Sequence, residues 1–129
     1  MSSVTTSRAP RGADERRRFE RAMGRLWETG IVALGPIGVE PARGHEIMRD
    51  QVARRFPGGM GSYLFWTRKA RQAFRADGSL AGEMTLHCSG EEVAEAAVAI
   101  LQEHDIDAAA SPEPRTIKLF AGPVVRKRP

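Results

Sequence analysis

The apolar residues of this chain recur with two different periods, and the order of those periods restricts the fold more than any other feature. Three segments space apolar side chains three and four positions apart, as in helices that bury one face. These segments are residues 14–29, 41–56 and 89–104. Residues 31–34 are a short apolar run with the length of a buried strand, and residues 116–121 are predicted as a further strand. The sequence therefore predicts a mixed α+β protein.

Residues 62–75 fit two interpretations. Trp66 and Ala70 have helical spacing, whereas the aromatic residues at the start of the segment favour a strand. The pair Asp77-Gly78 favours the strand, because Asp-Gly between two extended runs is typical of a tight hairpin turn. Residues 80–88 alternate apolar and other side chains, as a half-buried strand does. We therefore predict a hairpin of strands 62–75 and 80–88.

The start of the helix at residues 89–104 carries a recognisable motif. Ser89 and Glu92 have the spacing of a capping box, in which each side chain accepts a hydrogen bond from a free backbone amide. The motif predicts that Ser89 caps this helix.

After the first helix, the predicted order of elements is β-α-β-β-α-β. This is the ferredoxin-like pattern, two split βαβ units that form an antiparallel sheet with both helices on one face. The first helix is then an amphipathic addition, and its apolar stripe must pack on the domain or form a dimer. We expect a disordered tail at residues 1–13, one domain at 14–122 and a basic tail at 123–129.

Charge is distributed unevenly along the 129 residues, whose net charge is +4. Residues 1–76 contain 15 Arg and Lys against 7 Asp and Glu, whereas residues 77–113 contain 9 acidic residues and no Arg or Lys. Residues 114–129 are basic again. This pattern suits an acidic partner or charge complementarity within the chain. Most of the cations are arginines, which bind phosphate bidentately, although a GC-rich genome would produce the same bias.

One predicted surface combines aromatic and basic side chains. If strand 62–75 has no bulge, Tyr63, Phe65, Lys69, Arg71 and Arg75 share a face, and Lys118 of the last strand joins them. Such a face can stack bases and neutralise phosphates. The alternative is that Tyr63 and Phe65 pack beneath the first helix. Further candidate phosphate contacts are Arg16, Arg17, Arg18, Arg21 and Arg25 of the first helix, and Arg126, Lys127 and Arg128 of the tail.

The sequence contains no recognisable catalytic or metal-binding motif. Cys88 is the only cysteine, so neither an intramolecular disulfide nor a site of several thiolates can form. The three histidines, at positions 45, 87 and 104, have no metal-ligand spacing with Cys88. We expect no cofactor, and a small enzyme is the weakest interpretation because no nucleophile and base form a visible pair. No run of about 18 apolar residues and no secretory signal are present, so we expect a cytoplasmic protein without membrane contact.

These patterns lead to two hypotheses about function. The first is a small non-catalytic binding protein whose basic surface contacts nucleic acid or a nucleoprotein assembly. The alternative is a protein–protein interaction module, such as an inhibitor, adaptor or immunity-type protein. That module would act through Phe19, Met23 and Trp27 of the first helix, which would also serve a homodimer, or through the acidic helix at residues 89–104.

Overall fold

A computed structural model describes residues 15–38, 40–58 and 61–121, in which helices and strands alternate as far as the last two strands, which are consecutive. Within these residues one five-stranded sheet and four helices form, so the mixed α+β class is confirmed. The tails predicted at residues 1–13 and 123–129, with Arg126, Lys127 and Arg128, lie outside the described residues. The elements are α1 (Glu15–Glu28), β1 (Val32–Leu34), α2 (Pro41–Arg55), β2 (Tyr63–Phe65), α3 (Arg68–Arg71), β3 (Met84–Cys88), α4 (Glu91–Glu103), β4 (Asp107–Ala110) and β5 (Thr116–Phe120).

The three longer helices lie where their periodicity predicts them. Each buries one apolar stripe; in α1 the buried residues include Phe19, Met23 and Leu26. The chain leaves α1 through Gly30, whose φ of 93° is a conformation that glycine adopts without strain. No described helix combines the length and the apolar character that crossing a membrane requires.

The predicted strand at residues 62–75 is wrong beyond its first residues. The strand β2 ends at Phe65, and Thr67 then caps α3 by accepting a hydrogen bond from the Ala70 amide at 3.4 Å. The segment turns away from the sheet here, and Trp66, Ala70 and Phe74 pack against the core beside α1. The predicted hairpin is reduced to a bridge between Phe74 and Leu80 that flanks the Asp77-Gly78 turn.

The start of α4 also differs from the prediction. Gly90 is the N-cap residue, and no side chain caps the helix. The Ser89 hydroxyl instead accepts a hydrogen bond from the Tyr63 amide at 3.0 Å, and the Ser89 amide donates to the Tyr63 carbonyl at 2.9 Å. Ser89 therefore extends the pairing of β2 with β3 and does not begin the helix.

The sheet has the strand order β1-β2-β3-β5-β4, and the ferredoxin-like order is not confirmed. The strands β1 and β2 are parallel neighbours joined through α2, and the other pairs are antiparallel. The strand β4, which the sequence analysis did not predict, is an alanine-rich edge strand paired with β5. Its composition lacks the β-branched and aromatic residues that usually mark strands, so only its pairing reveals it.

The two faces of the sheet are covered differently. The helices α1 and α4 pack on one face over the larger core, which includes Leu64, Leu86 and Leu119. The helix α2 packs on the other face over β1 and β2, where it encloses Tyr63 and Phe65. The prediction that both crossover helices share one face is therefore wrong. Beyond α2 this second face carries the half-buried side chains of Thr85, His87, Lys118 and Phe120.

Candidate nucleic-acid interface

A groove lined by arginines lies between the first turn of α1 and the segment from α3 to the Asp77-Gly78 turn. Its volume is about 450 Å³. We call it the arginine groove, and its lining includes Arg16, Arg68, Arg71 and Arg75, together with Pro36, Gln72, Phe74 and Ala76. All four arginines are exposed. Four guanidinium groups around one concavity form a surface that favours anionic ligands.

The buried carboxylate of Glu15 helps to position the α1 side of the groove. Its Oε1 accepts a hydrogen bond from the Leu80 amide at 2.6 Å, and the next amide, of Arg16, donates to the Gly78 carbonyl at 2.8 Å. The Asp77 carboxylate shapes this turn by accepting hydrogen bonds from the amide and hydroxyl of Ser79, at 2.9 and 2.7 Å. Because α1 is tied to the turn in this way, Arg16 lies across the groove from the arginines that follow Thr67.

An aromatic cluster supports the groove from below. Phe74 lines the groove, and its ring lies 5.4 Å from that of Phe19, which also meets Trp66 edge-on at 4.9 Å. Gly35 permits this packing, because a Cβ atom at that position would overlap the Trp66 ring. The arginine groove therefore lies over a packed cluster of aromatic side chains.

The four arginines differ in how far their charges are already engaged. Arg16 forms an exposed ion pair with Glu20 at 3.4 Å, and Arg75 donates to the Ser79 hydroxyl at 3.2 Å. The guanidinium groups of Arg68 and Arg71 have no hydrogen-bond or ion-pair partner within the described parts of the chain. These two cations are free to bind an anion without breaking an existing contact.

The predicted basic residues are distributed over several surfaces. Of the predicted set, Arg16, Arg71 and Arg75 lie in the groove. Lys69 is exposed on α3 but does not line it. Lys118 lies on the uncovered sheet face, where it forms an ion pair with Glu83 at 3.2 Å. On α1, Arg17 borders the turn beside the groove, Arg21 is exposed, Arg18 is half-buried and Arg25 forms an ion pair with Glu28 at 3.0 Å.

Tyr63 and Phe65 are not available to stack bases. Their exposed fractions are 3% and 0%, because α2 covers this face of β2. The predicted alternation holds in β2, where Leu64 faces the opposite core, but the covering helix is α2 and not the first helix. Because the chain turns into α3 before Lys69, Lys69 and Arg71 do not share a sheet face with Tyr63 and Phe65.

The apolar stripe of α1 packs inside the domain. Phe19 and Met23 are buried, and Trp27 is half-buried with its indole nitrogen donating to the Ala33 carbonyl at 2.9 Å. The guanidinium of Arg55 lies 5.5 Å from the centre of the Trp27 ring. These side chains support the fold and present no free apolar stripe to a partner.

Three of the arginines that the fold places around concave surfaces, Arg49, Arg68 and Arg115, were not predicted from the sequence. Arg16 and Arg68 line the arginine groove, and Arg49 and Arg115 line a second pocket beside α2. Of the arginines that were candidates, Arg71 lines the groove and Arg17 lies beside it. A basic run does not reveal which of its members face a concavity. Pockets formed by distant segments leave no local spacing that could identify them.

A histidine cluster also lies near the second pocket. The His45 ring hydrogen-bonds to the Tyr63 hydroxyl through Nδ1 at 2.7 Å and lies 6.1 Å from the His87 ring. Burial lowers the pKa of both histidines below the ordinary 6.5. Across the described parts of the chain, no three His, Cys, Asp or Glu residues are grouped so that they could hold a metal ion. Cys88 is fully buried in the core, as its position on the apolar side of its strand predicts.

The chain matches no protein-family model, and searches of the curated proteins and of the solved structures find no match either. The geometry of the two basic concavities is therefore the basis for the functional interpretation.

Proposed function

We propose that this protein is a small binding protein whose arginine groove contacts nucleic acid, alone or within a nucleoprotein assembly. The observation that carries the proposal is the pair Arg68 and Arg71. Both guanidinium groups are exposed, have no partner within the described residues and line one groove with two further arginines. A guanidinium group can bind two oxygens of one phosphate at once. Four such groups around one groove suit a ligand that presents several phosphates in succession.

Two features favour a nucleic acid over a single small anion. The exposed Arg17 and Arg21 continue the basic surface along α1, so cationic groups extend beyond the groove itself. Phe74 supplies an aromatic surface within the groove, and aromatic side chains beside cations are a common platform for unpaired bases. This combination favours a single-stranded ligand over a duplex.

The test is fluorescence anisotropy with labelled single-stranded and double-stranded DNA and RNA, at about 50 and about 200 mM salt. The test variant carries Arg68→Gln and Arg71→Gln. The control variant carries Arg43→Gln and Arg54→Gln, which removes the same charge from exposed sites on α2 that form ion pairs with Glu46 and Asp50.

The expected salt dependence follows from the number of arginines. If each of the four neutralises one phosphate of a single strand, the slope of log affinity against log salt is about −2.8. The affinity then falls about 50-fold over this fourfold rise in salt. With two arginines removed the slope is about −1.4 and the fall about 7-fold.

The control variant should keep a slope near that of the unmodified protein. Absence of binding at the lower salt concentration would refute the proposal. An equal loss in both variants would show that net charge, and not the groove, attracts the nucleic acid.

A further inference from the structure

A second concave site lies between α2 and the turn that precedes β5. Its volume is about 440 Å³, within the range of pockets that hold small molecules. We call it the α2 pocket, and its lining includes Arg49, Val52, Phe56, Tyr63, Ser89 and Arg115. It shares no lining residue with the arginine groove.

Two arginines from distant segments supply positive charge to this pocket. Arg49 belongs to α2, and Arg115 lies in the turn between β4 and β5. Neither guanidinium group has a hydrogen-bond or ion-pair partner among the residues that the structure describes. Both are close enough to His45 to contribute to the lowering of its pKa, which is due first to burial. Their charges therefore act on the same small region.

The backbone holds Arg115 in place. Its amide donates to the Glu91 carboxylate at 2.8 Å, and its carbonyl accepts from the Cys88 amide at 2.8 Å. Its φ of 57° is an uncommon conformation for a residue other than glycine. These contacts fix the base of the arginine side chain at the rim of the pocket.

The remaining lining separates into a polar and an apolar part. The Ser89 oxygen accepts from the Tyr63 amide at 3.0 Å, which leaves the Ser89 hydroxyl proton able to donate to a ligand. Val52 and Phe56 form the apolar part, and Phe56 is 44% exposed, the only large hydrophobic residue so exposed in the described chain. An exposed aromatic ring at the edge of a basic pocket provides a surface on which a flat ligand can stack.

We propose that the α2 pocket binds a small phosphorylated molecule with an aromatic body. Arg49, Arg115 and the Ser89 hydroxyl hold the phosphate, and Phe56 and Val52 contact the body. A phosphate group suits these donors because its oxygens point in several directions, whereas a planar carboxylate is satisfied by one guanidinium group. The site is separate from the arginine groove and does not depend on nucleic-acid binding there.

The test is isothermal titration calorimetry with adenosine 5′-monophosphate, with adenosine and inorganic phosphate as partial ligands. We expect the monophosphate to bind at least about tenfold more tightly than adenosine, since a charge-assisted hydrogen bond contributes about that factor or more. Arg49→Gln and Arg115→Asn should each weaken binding about tenfold. Asn is used at position 115 because it tolerates the left-handed backbone conformation.

Two matched controls make the result specific to this pocket. Arg43→Gln and Arg54→Gln lie on the same helix outside the pocket, where the two arginines form exposed ion pairs with Glu46 and Asp50. Neither should change the affinity by more than about twofold. Circular dichroism of each variant checks that it is folded.

Three results would overturn the assignment. The first is that neither the monophosphate nor inorganic phosphate binds at about 1 mM. The second is an equal affinity for the monophosphate and adenosine. The third is a loss of binding in Arg68→Gln with no change in Arg49→Gln, which would move the phosphate to the arginine groove.

Discussion

The substitution Gly→Ala should have opposite effects on stability in the helices α1 and α2. Gly24 is exposed on α1, and a Cβ atom there would have no neighbour within 4 Å. Gly44 is buried on α2, and a Cβ atom there would overlap the ring of Phe65, which is fully buried. The comparison therefore isolates the close approach of α2 to the sheet, on which the position of the α2 pocket depends.

The magnitudes follow from two terms. Alanine is favoured over glycine within a helix by about 1 kcal/mol, so Gly24→Ala should raise the free energy of unfolding by about that amount. At Gly44 the same gain is opposed by overpacking, which costs about 1–3 kcal/mol in a dense core. Because Phe65 also contacts the His45 and His87 rings and has little room to move, we place the cost near the upper limit. Gly44→Ala should then lower the free energy of unfolding by about 1–2 kcal/mol.

Urea unfolding followed by tryptophan fluorescence and circular dichroism measures both effects. With a typical dependence of about 1–3 kcal/mol per molar urea, the two variants should differ in midpoint by about 1 M or more. Phe65→Leu combined with Gly44→Ala completes a double-mutant cycle. The loss caused by Gly44→Ala should be smaller in the Phe65→Leu background, because the overlapping ring is absent.

One result would refute this account of α2. If Gly44→Ala stabilised the protein as much as Gly24→Ala does, no close contact between α2 and Phe65 would exist. The packing of α2, which carries Arg49, over β2 would then be wrong as well.

Two further predictions concern the half-buried His45 and His87 and the buried Cys88. Burial lowers the pKa of His45 and of His87, so below the ordinary value of 6.5 the unfolded chain binds protons more readily than the folded chain. The free energy of unfolding should therefore fall as the pH drops from about 7 to about 5, and replacing both histidines with Gln should reduce this slope; an unchanged slope would assign it to other groups. Burial also raises the pKa of the Cys88 thiol to about 12. At about pH 8 the native protein should react with a thiol reagent far more slowly than the urea-unfolded chain, and rapid labelling of the native protein would contradict the buried position.

The sequence was sufficient for features that depend on neighbouring residues. The stripe of Phe19, Met23 and Leu26 predicts α1 because a helix brings residues three and four apart onto one face. The alternation in β3 is equally local, since Leu86 faces the core and His87 the opposite side. The excess of arginine in the first part of the chain is also visible without a structure.

Local patterns misled where two signals competed over the same residues. Residues 62–75 contain both strand-like aromatics and helical spacing, and the outcome depends on the core that Trp66 and Phe74 can join beside α1. Ser89 fits a capping box, but its hydroxyl instead bonds to the Tyr63 amide, a partner 26 positions away. A side chain that a local motif assigns to a helix cap can thus form its hydrogen bond with a neighbouring strand instead.

Both candidate sites depend on contacts between segments far apart in the chain. The arginine groove requires the hydrogen bond between Glu15 and Leu80, which joins residues 65 positions apart. The α2 pocket requires Arg49 and Arg115 to line one concavity, and their placement follows from the strand order and from the face that α2 covers. Periodicity and capping reflect backbone geometry over a few residues, whereas strand partners are selected by the burial of apolar area throughout the folded chain. The helices could therefore be predicted from the sequence, whereas the positions of the arginines around the two concave sites could not.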